Sequence, residues 1–195
     1  MNLLHRWICR SAWWRRHVEA ELLPWALKDV VLGDRVLEVG PGPGLTTNYI
    51  VQKTRRLTAL EIDPQLANGL SKRFVDCNVD IIEGDATVMP FPEAQFSAVA
   101  SFTMLHHIPS TELQNRMLSE VLRVLRPGGT FVGTDSVWGP VFALAHIGDT
   151  MVLSDPAKFG DRLERVGFID IEVARGSRAF RFRSSKPSNP VKAIS

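Results

Sequence analysis

The strongest constraint on this chain is the stretch Arg35-Val36-Leu37-Glu38-Val39-Gly40-Pro41-Gly42-Pro43-Gly44. An aliphatic run of strand length breaks into alternating glycine and proline, and a helical pattern follows from Leu45 to about Lys53. That order predicts a buried strand, a sharp turn and a helix. Glycine at every second position lets the backbone pass very close to a ligand, because no Cβ intervenes. A dinucleotide-binding turn would carry a further glycine or alanine where Leu45 stands, and Pro41 and Pro43 lack N–H groups that could cradle a pyrophosphate. The turn therefore suits a nucleoside without phosphates better than a dinucleotide. The plain alternative is a tight strand-to-helix turn that binds nothing.

The rest of the chain repeats the alternation of short β-branched runs with helical patterns, which predicts a βαβ architecture with a mostly parallel sheet. Further strands are expected at 57–61, 79–83, 96–102 and 130–134. Asp63-Pro64 starts a helix, with Asp as N-cap and Pro at the first helical position. Thr111-Glu112-Leu113-Gln114 fits a capping box, opening a helix with Leu113, Met117, Val121 and Leu125 on one face until Pro127-Gly128-Gly129 ends it. A last helix is expected at 156–166, stopped by Gly167. Runs at 168–173 and 178–183 close the domain as a hairpin-like pair, Phe180 and Phe182 facing inward and Arg181 and Arg183 outward.

Composition limits the function. A chain of 195 residues supports one ample core, and 23 Lys and Arg against 21 Asp and Glu leave no global field for gripping a polyphosphate. Cys9 and Cys77 lie far apart without metal-ligand spacing, so reduced thiols are expected and no metal. No apolar run approaches the ~20 residues that span a bilayer. Residues 1–16 are broken by His5, Arg6, Arg10, Arg15 and Arg16, so they hold no signal-peptide core. The expectation is a cytoplasmic chain with an N-terminal helical lid segment at 1–30, a main domain at 31–184 and a flexible tail at 185–195, where Pro187 and Pro190 fall.

Two more stretches carry chemistry. Glu61, at the expected tip of the second strand, can accept bidentate hydrogen bonds from ribose hydroxyls, unless it is a solvated strand-end charge. Asp63 is better used on the helix N-terminus. In Glu83-Gly84-Asp85-Ala86 the Asp can accept from an adenine amine while the Ala86 N–H donates to a ring nitrogen, the alternative being an ordinary Gly-Asp turn.

Together these residues resemble the class I S-adenosylmethionine-dependent methyltransferases, closest to the small-molecule branch that includes the ubiquinone and menaquinone biosynthesis enzymes. The matching stretches are 36–44, Leu60-Glu61-Ile62-Asp63, Gly84-Asp85-Ala86 with Pro90-Phe91-Pro92, Phe96-Ser97-Ala98-Val99, Leu105-His106-His107 and 120–129. The resemblance implies an α/β, Rossmann-like sheet of about seven strands in the order 3-2-1-4-5-7-6, last strand antiparallel, with helices on both faces. It implies S-adenosyl-L-methionine as cofactor, on the Gly40, Gly42 and Gly44 backbone. Glu38 would lie near the methionine amine, Glu61 with Ile62 at the ribose, Asp85 and Ala86 at the adenine, and Ser101 at the methionine portion. Glu61 stands where the family more often has Asp.

Methyl transfer from a sulfonium is an in-line displacement, so the protein mainly aligns the nucleophile and excludes water. A base is needed only if the acceptor must lose a proton. His106, His107 and Asp135 are candidate bases at the carboxyl edge of the sheet, with loop packing and turn capping as their structural alternatives. The expected acceptor is a small, apolar or aromatic molecule. Its pocket is expected from the N-terminal segment, where Leu3, Leu4, Trp7, Ile8, Trp14 and Val18 can share one helical face and Trp7, Trp13 or Trp14 would meet the acceptor, and from 137–154 (Trp138, Phe142, Leu144, His146, Met151, Leu153). The N-terminal helix reads first as a helix packed on the core, with a lid over the cofactor and an interfacial helix touching a membrane through Trp and Arg as the functional alternatives. A nucleic-acid methyltransferase is disfavoured: Ser101-Phe102-Thr103-Met104 replaces an Asn/Asp-Pro-Pro-aromatic tetrad, and the basic run Arg175, Arg178, Arg181, Arg183, Lys186 reads as a solvated strand face. A non-catalytic scaffold that keeps the fold is the other rival.

Overall fold

A computed structural model describes residues 11–139 and 151–188. The fold begins with a helix, α1, made of Ala12–His17, a π-helical turn Val18–Leu22 and Leu23–Ala26. Ser11 caps it, its hydroxyl accepting from the Trp14 N–H. The wide turn precedes Pro24, whose ring would crowd the carbonyl four residues earlier in a regular α-helix. Then come β1 (Arg35–Val39), α2 (Leu45–Ile50), β2 (Arg56–Glu61), α3 (Pro64–Arg73), β3 (Val79–Glu83) and β4 (Phe96–Phe102). A 3₁₀ turn, Leu105–His107, leads to α4 (Thr111–Val124), β5 (Leu125–Ser136), α5 (Pro156–Val166), β6 (Ile169–Arg175) and β7 (Ala179–Ser185).

The seven strands form one sheet in the order β3-β2-β1-β4-β5-β7-β6. β1 to β5 pair in parallel and β7 runs antiparallel to both neighbours, as the sequence implied. Burial on both faces explains the near-continuous apolar reading of the inner strands. Alternate residues feed two cores. Leu37, Val99 and Phe131 pack with Met117 and Val121 of α4 and with Phe159 and Leu163 of α5. Val36, Ala98, Ala100 and Val132 pack with Val18, Leu22, Leu23 and Ala26 of α1 and with Ile50 of α2. From Val18 onward, α1 is thus part of the core. Phe180 and Phe182 are buried while Arg181 and Arg183 face outward, as expected.

Several expected boundaries shift for identifiable reasons. The cap of α4 is Ser110, not Thr111: its hydroxyl accepts from the Leu113 N–H, and Gln114 is drawn into the interior instead of closing a capping box. β5 starts at Leu125, absorbing Pro127-Gly128-Gly129 with a register slip opposite Phe96 and Ala98. The cause is the far end of β7. Gly128 N–H donates to the Lys186 carbonyl and Lys186 N–H to the Gly129 carbonyl, while Lys186 Nζ reaches the Arg123 and Leu125 carbonyls. Ser185 and Lys186, placed in a loose tail by polarity alone, are therefore built into the sheet, and Ser184 is buried. Residues 1–10, which include Leu3, Leu4, Trp7 and Ile8, lie outside the described residues, as do Phe142, Leu144 and His146.

Gly133 marks where β4 and β5 approach most tightly, for a Cβ there would stand 1.9 Å from the Ser101 carbonyl oxygen. That neighbour is backbone and cannot swing away. Gly133→Ala is expected to lower stability by about 1–3 kcal/mol, read as a lower urea midpoint with an unchanged slope.

Candidate active site

A cleft of about 1010 Å³ opens at the carboxyl ends of β1 to β5. It straddles β1 and β4, where strand order reverses and open α/β sheets bind ligands. β1 delivers the chain into a left-handed turn at Gly40, with φ of +66°. A Cβ there would lie 2.2 Å from Met104 Cγ, so this glycine lets the β4 loop close against the elbow. Gly42 also has positive φ but faces open space.

The elbow spends its own donors internally. Gly40 N–H goes to the Leu60 carbonyl, Gly44 N–H to the Pro41 carbonyl, and Gly42 N–H to Glu61 Oε2 at 2.9 Å. With Pro41 and Pro43 contributing none, residues 40–44 aim no N–H at a phosphate. The turn is a close-approach surface, not an anion cradle.

Glu61 is nearly buried on the cleft wall. Its Oε1 accepts from the Asp63 N–H at 3.0 Å while Oε2 holds Gly42, fixing the carboxylate between the two loops. Each oxygen keeps a further lone pair, so a vicinal diol can still donate to both. Asp63 caps α3, accepting from the Gln65 and Leu66 N–H groups. After β3, Asp85 Oδ1 accepts from the Thr87 N–H at 2.7 Å, forming an Asx turn that orients the exposed carboxylate. Asp85 and Ala86 line the cleft, and Ile62 lies on its wall with 65% of its surface open.

Glu38 and Ser101 are not on the wall. Ser101 is buried within the sheet between Val39 and Gly133, and Phe102, Thr103 and Met104 line the cleft in its place. Glu38 is buried behind the elbow. It accepts from the hydroxyls of Thr46 and, at 2.7 Å, Thr47. Burial pushes its carboxyl up to about 7, against the opposing pull of the two threonines. Thr46 lines the cleft, so Glu38 reaches the cavity through it. Arg73 of α3 braces the elbow from behind, donating to the Pro43 carbonyl at 2.8 Å and the Gly44 carbonyl at 2.6 Å. Thr46, Thr47 and Arg73 were not singled out from sequence. Two hydroxyls directly after the glycines were a readable sign, whereas Arg73 gives none.

Two of the three candidate bases meet. His106 Nδ1 stands 2.5 Å from Asp135 Oδ1, with both side chains almost wholly buried. His106 and His107 are on the cleft wall, their ring centroids 4.2 Å apart, and Asp135 lies beneath. The remaining wall is largely apolar: Trp13, Trp14, Leu22, Val137 and Trp138, with Arg178 at one end. Among the described residues no cluster of His, Cys, Asp and Glu could hold a metal ion, and no helix is long and apolar enough to cross a membrane.

A mostly parallel sheet thus carries a glycine elbow, a buried carboxylate and an Asx turn at successive strand tips, along the crevice where open α/β sheets bind ligands. Residues 37–133 match the family described as methyltransferase domain. A fatty-acid O-methyltransferase of Mycolicibacterium smegmatis is 37% identical over 108 residues, covering 54% of this chain and 38% of that protein. A demethylmenaquinone methyltransferase of Tropheryma whipplei is 31% identical over 106 residues, covering 53% of this chain and 42% of that one. The chain thus spans about two fifths of the length of these relatives. A solved S-adenosylmethionine-dependent methyltransferase from Aquifex aeolicus shares the fold, with a TM-score of 0.68 at 19% identity over 88% of this chain and 93% of that one. Over residues 37–133, just under half of the chain, the sequence is thus similar to this methyltransferase family, and S-adenosylmethionine is the cofactor that the similarity implies. The residues fit that group: the site offers carboxylates for a ribose and an adenine, no phosphate cradle, and a buried acid that a cationic ligand would help to ionise.

Proposed function

We propose that this chain transfers a methyl group from S-adenosylmethionine to a small, apolar or aromatic acceptor. The observation that carries the reading is Glu61, locked between Gly42 and Asp63 so that its remaining lone pairs suit a ribose diol. When bound, the cofactor supplies an already activated methyl group. The chain's own residues bind and align. Gly40, Gly42 and Gly44 admit the ligand against the backbone. Glu61 and Ile62 take the ribose, Asp85 and Ala86 the adenine, and Glu38 attracts the methionine amine through Thr46. The apolar wall of Trp13, Trp14, Leu22, Val137 and Trp138 excludes water and accepts an apolar body.

Small-molecule chemistry is favoured over nucleic acid by how the basic strand pair is used. Arg181 lies over the Trp25 ring and donates to its carbonyl, Arg183 pairs with Glu172, and Lys186 binds main-chain carbonyls. These cations serve the fold and leave little for a phosphate backbone. Calorimetry with S-adenosylmethionine tests the reading. The chain is expected to bind it, and Asp85→Ala to weaken binding by about 1–3 kcal/mol. Absence of heat with the unaltered chain would mark a scaffold instead.

A further inference from the structure

We infer that the rim of the cleft docks on a lipid layer carrying anionic headgroups, with the mouth turned toward the acyl chains. The inner wall of the cleft is covered by protein: Leu22, Phe102 and Val137 each leave no more than 6% of their surface open. Two tryptophans on the same wall differ. Trp13 of α1 is 57% open, and Trp138, just past β5, is 71% open. They come from elements far apart in sequence yet border one mouth, together with the exposed Ile62. The His17 ring lies nearly parallel to Trp13, the planes 10° apart, which steadies that indole. An indole has a broad apolar body and one polar N–H, so it is best placed where water gives way to hydrocarbon.

Charge beside these indoles has the sign that such a layer attracts. Arg15 and Arg16 follow the tryptophans on α1, and Arg175 and Arg178 flank the turn between β6 and β7. All four are exposed and make no ion pair among the described residues. By contrast Arg181 and Arg183, on the same strand pair, are held by Trp25 and Glu172. Neither Ala12–His17 nor the span 173–179 contains a carboxylate, so nothing within either segment cancels the charge. The two segments are neighbours. Ser177 and Arg178 line the cleft, and a Cβ on Gly176 would stand 3.3 Å from the Trp25 ring of α1.

Anionic lipid fits this combination better than nucleic acid, which also offers phosphates. The space between the tryptophans is walled by Leu22, Phe102 and Val137, whose side chains give base edges no hydrogen bond. Apolar rings flanked by arginines match a surface whose headgroups are charged and whose interior is hydrocarbon. Docked in this way, the cleft opens onto the layer. On the methyltransferase reading, on which this one step rests, an apolar acceptor then enters the cleft without crossing water.

Co-sedimentation with vesicles tests the surface. The chain is expected to pellet with phosphatidylcholine vesicles that contain phosphatidylglycerol, and to bind phosphatidylcholine alone about tenfold more weakly or worse. Raised salt should release it. Trp13→Ala and Trp138→Ala are each expected to weaken binding about tenfold. Arg16→Gln combined with Arg178→Gln should weaken it about 25-fold, since each cation near such a surface contributes about fivefold. Urea midpoints should stay in place, because all four side chains are exposed. Lipid brominated along its acyl chains should quench tryptophan emission, and least in the variant lacking both Trp13 and Trp138. No binding to the mixed vesicles at low salt, undiminished binding by these variants, or preference for single-stranded RNA over the vesicles would each overturn the docking surface. Heat with S-adenosylmethionine beside absent vesicle binding would retain the methyltransferase reading and discard this surface. Vesicle binding without that heat would do the reverse.

Discussion

Replacing Glu61 with Ala is expected to weaken S-adenosylmethionine binding by roughly 100-fold or more, a loss of about 3 kcal/mol. The effect exceeds that of an ordinary ribose contact because the carboxylate also holds protein. Its two oxygens accept from Gly42 and Asp63, so the alanine variant frees the elbow's central N–H and loosens the start of α3 as well as losing the diol. Hydrogen bonds to a charged group contribute about 1.5–3 kcal/mol each. Calorimetry separates the two losses: Glu61→Gln should keep part of the loop geometry and recover part of the affinity. Binding unaltered in both variants would place the ribose elsewhere.

The second large effect is one of pH. Glu38 has its carboxyl pushed from 4.5 to about 7 by burial, so between those values the folded chain holds a proton that the unfolded chain has released. Its contribution to stability is therefore fully present below about 4.5 and is lost as pH rises through about 7. At ~1.4 kcal/mol per unit the span is about 3 kcal/mol. Denaturant midpoints of the ligand-free chain should fall across that window, and Glu38→Gln should flatten the fall. Ligand binding runs the other way. Ionised Glu38 favours a cation, so affinity should rise with pH to about 7 and decline above roughly 8, where the ligand's α-amino group loses its own charge. A stability curve without slope in that window would show that burial leaves this carboxyl unperturbed.

Much of the scaffold was legible because its signals are local. The bounds of β1, the Asp63 cap on α3, the stop at Gly167 and the alternation in β7 depend on residues adjacent in sequence. What escaped reading depends on distant partners. Ser110 and Thr111 are both hydroxyl residues, and only the pull of Leu105 and Val152 on Gln114 decides between them. The polarity of residues 184–186 hides their place in the sheet, since main-chain pairing with Gly128 and Gly129 leaves no trace in side chains. In the site, Glu61 and Asp85 were readable from residue type at a strand tip. Arg73 was not, because it reaches an elbow 29 positions away across a helix. His106 and Asp135 were visible singly, but 29 residues separate them and only the β4–β5 pairing brings them together.

Val137, on the cleft wall, has its N–H fastened to the Arg178 carbonyl, and Val152 has its own fastened to the carbonyl of His106. Both knots are main-chain, so they hold whatever side chains occupy the span between them. Side-chain substitutions between the two ties therefore leave both anchors in place, and with them the end of β5 and the turn that carries His106.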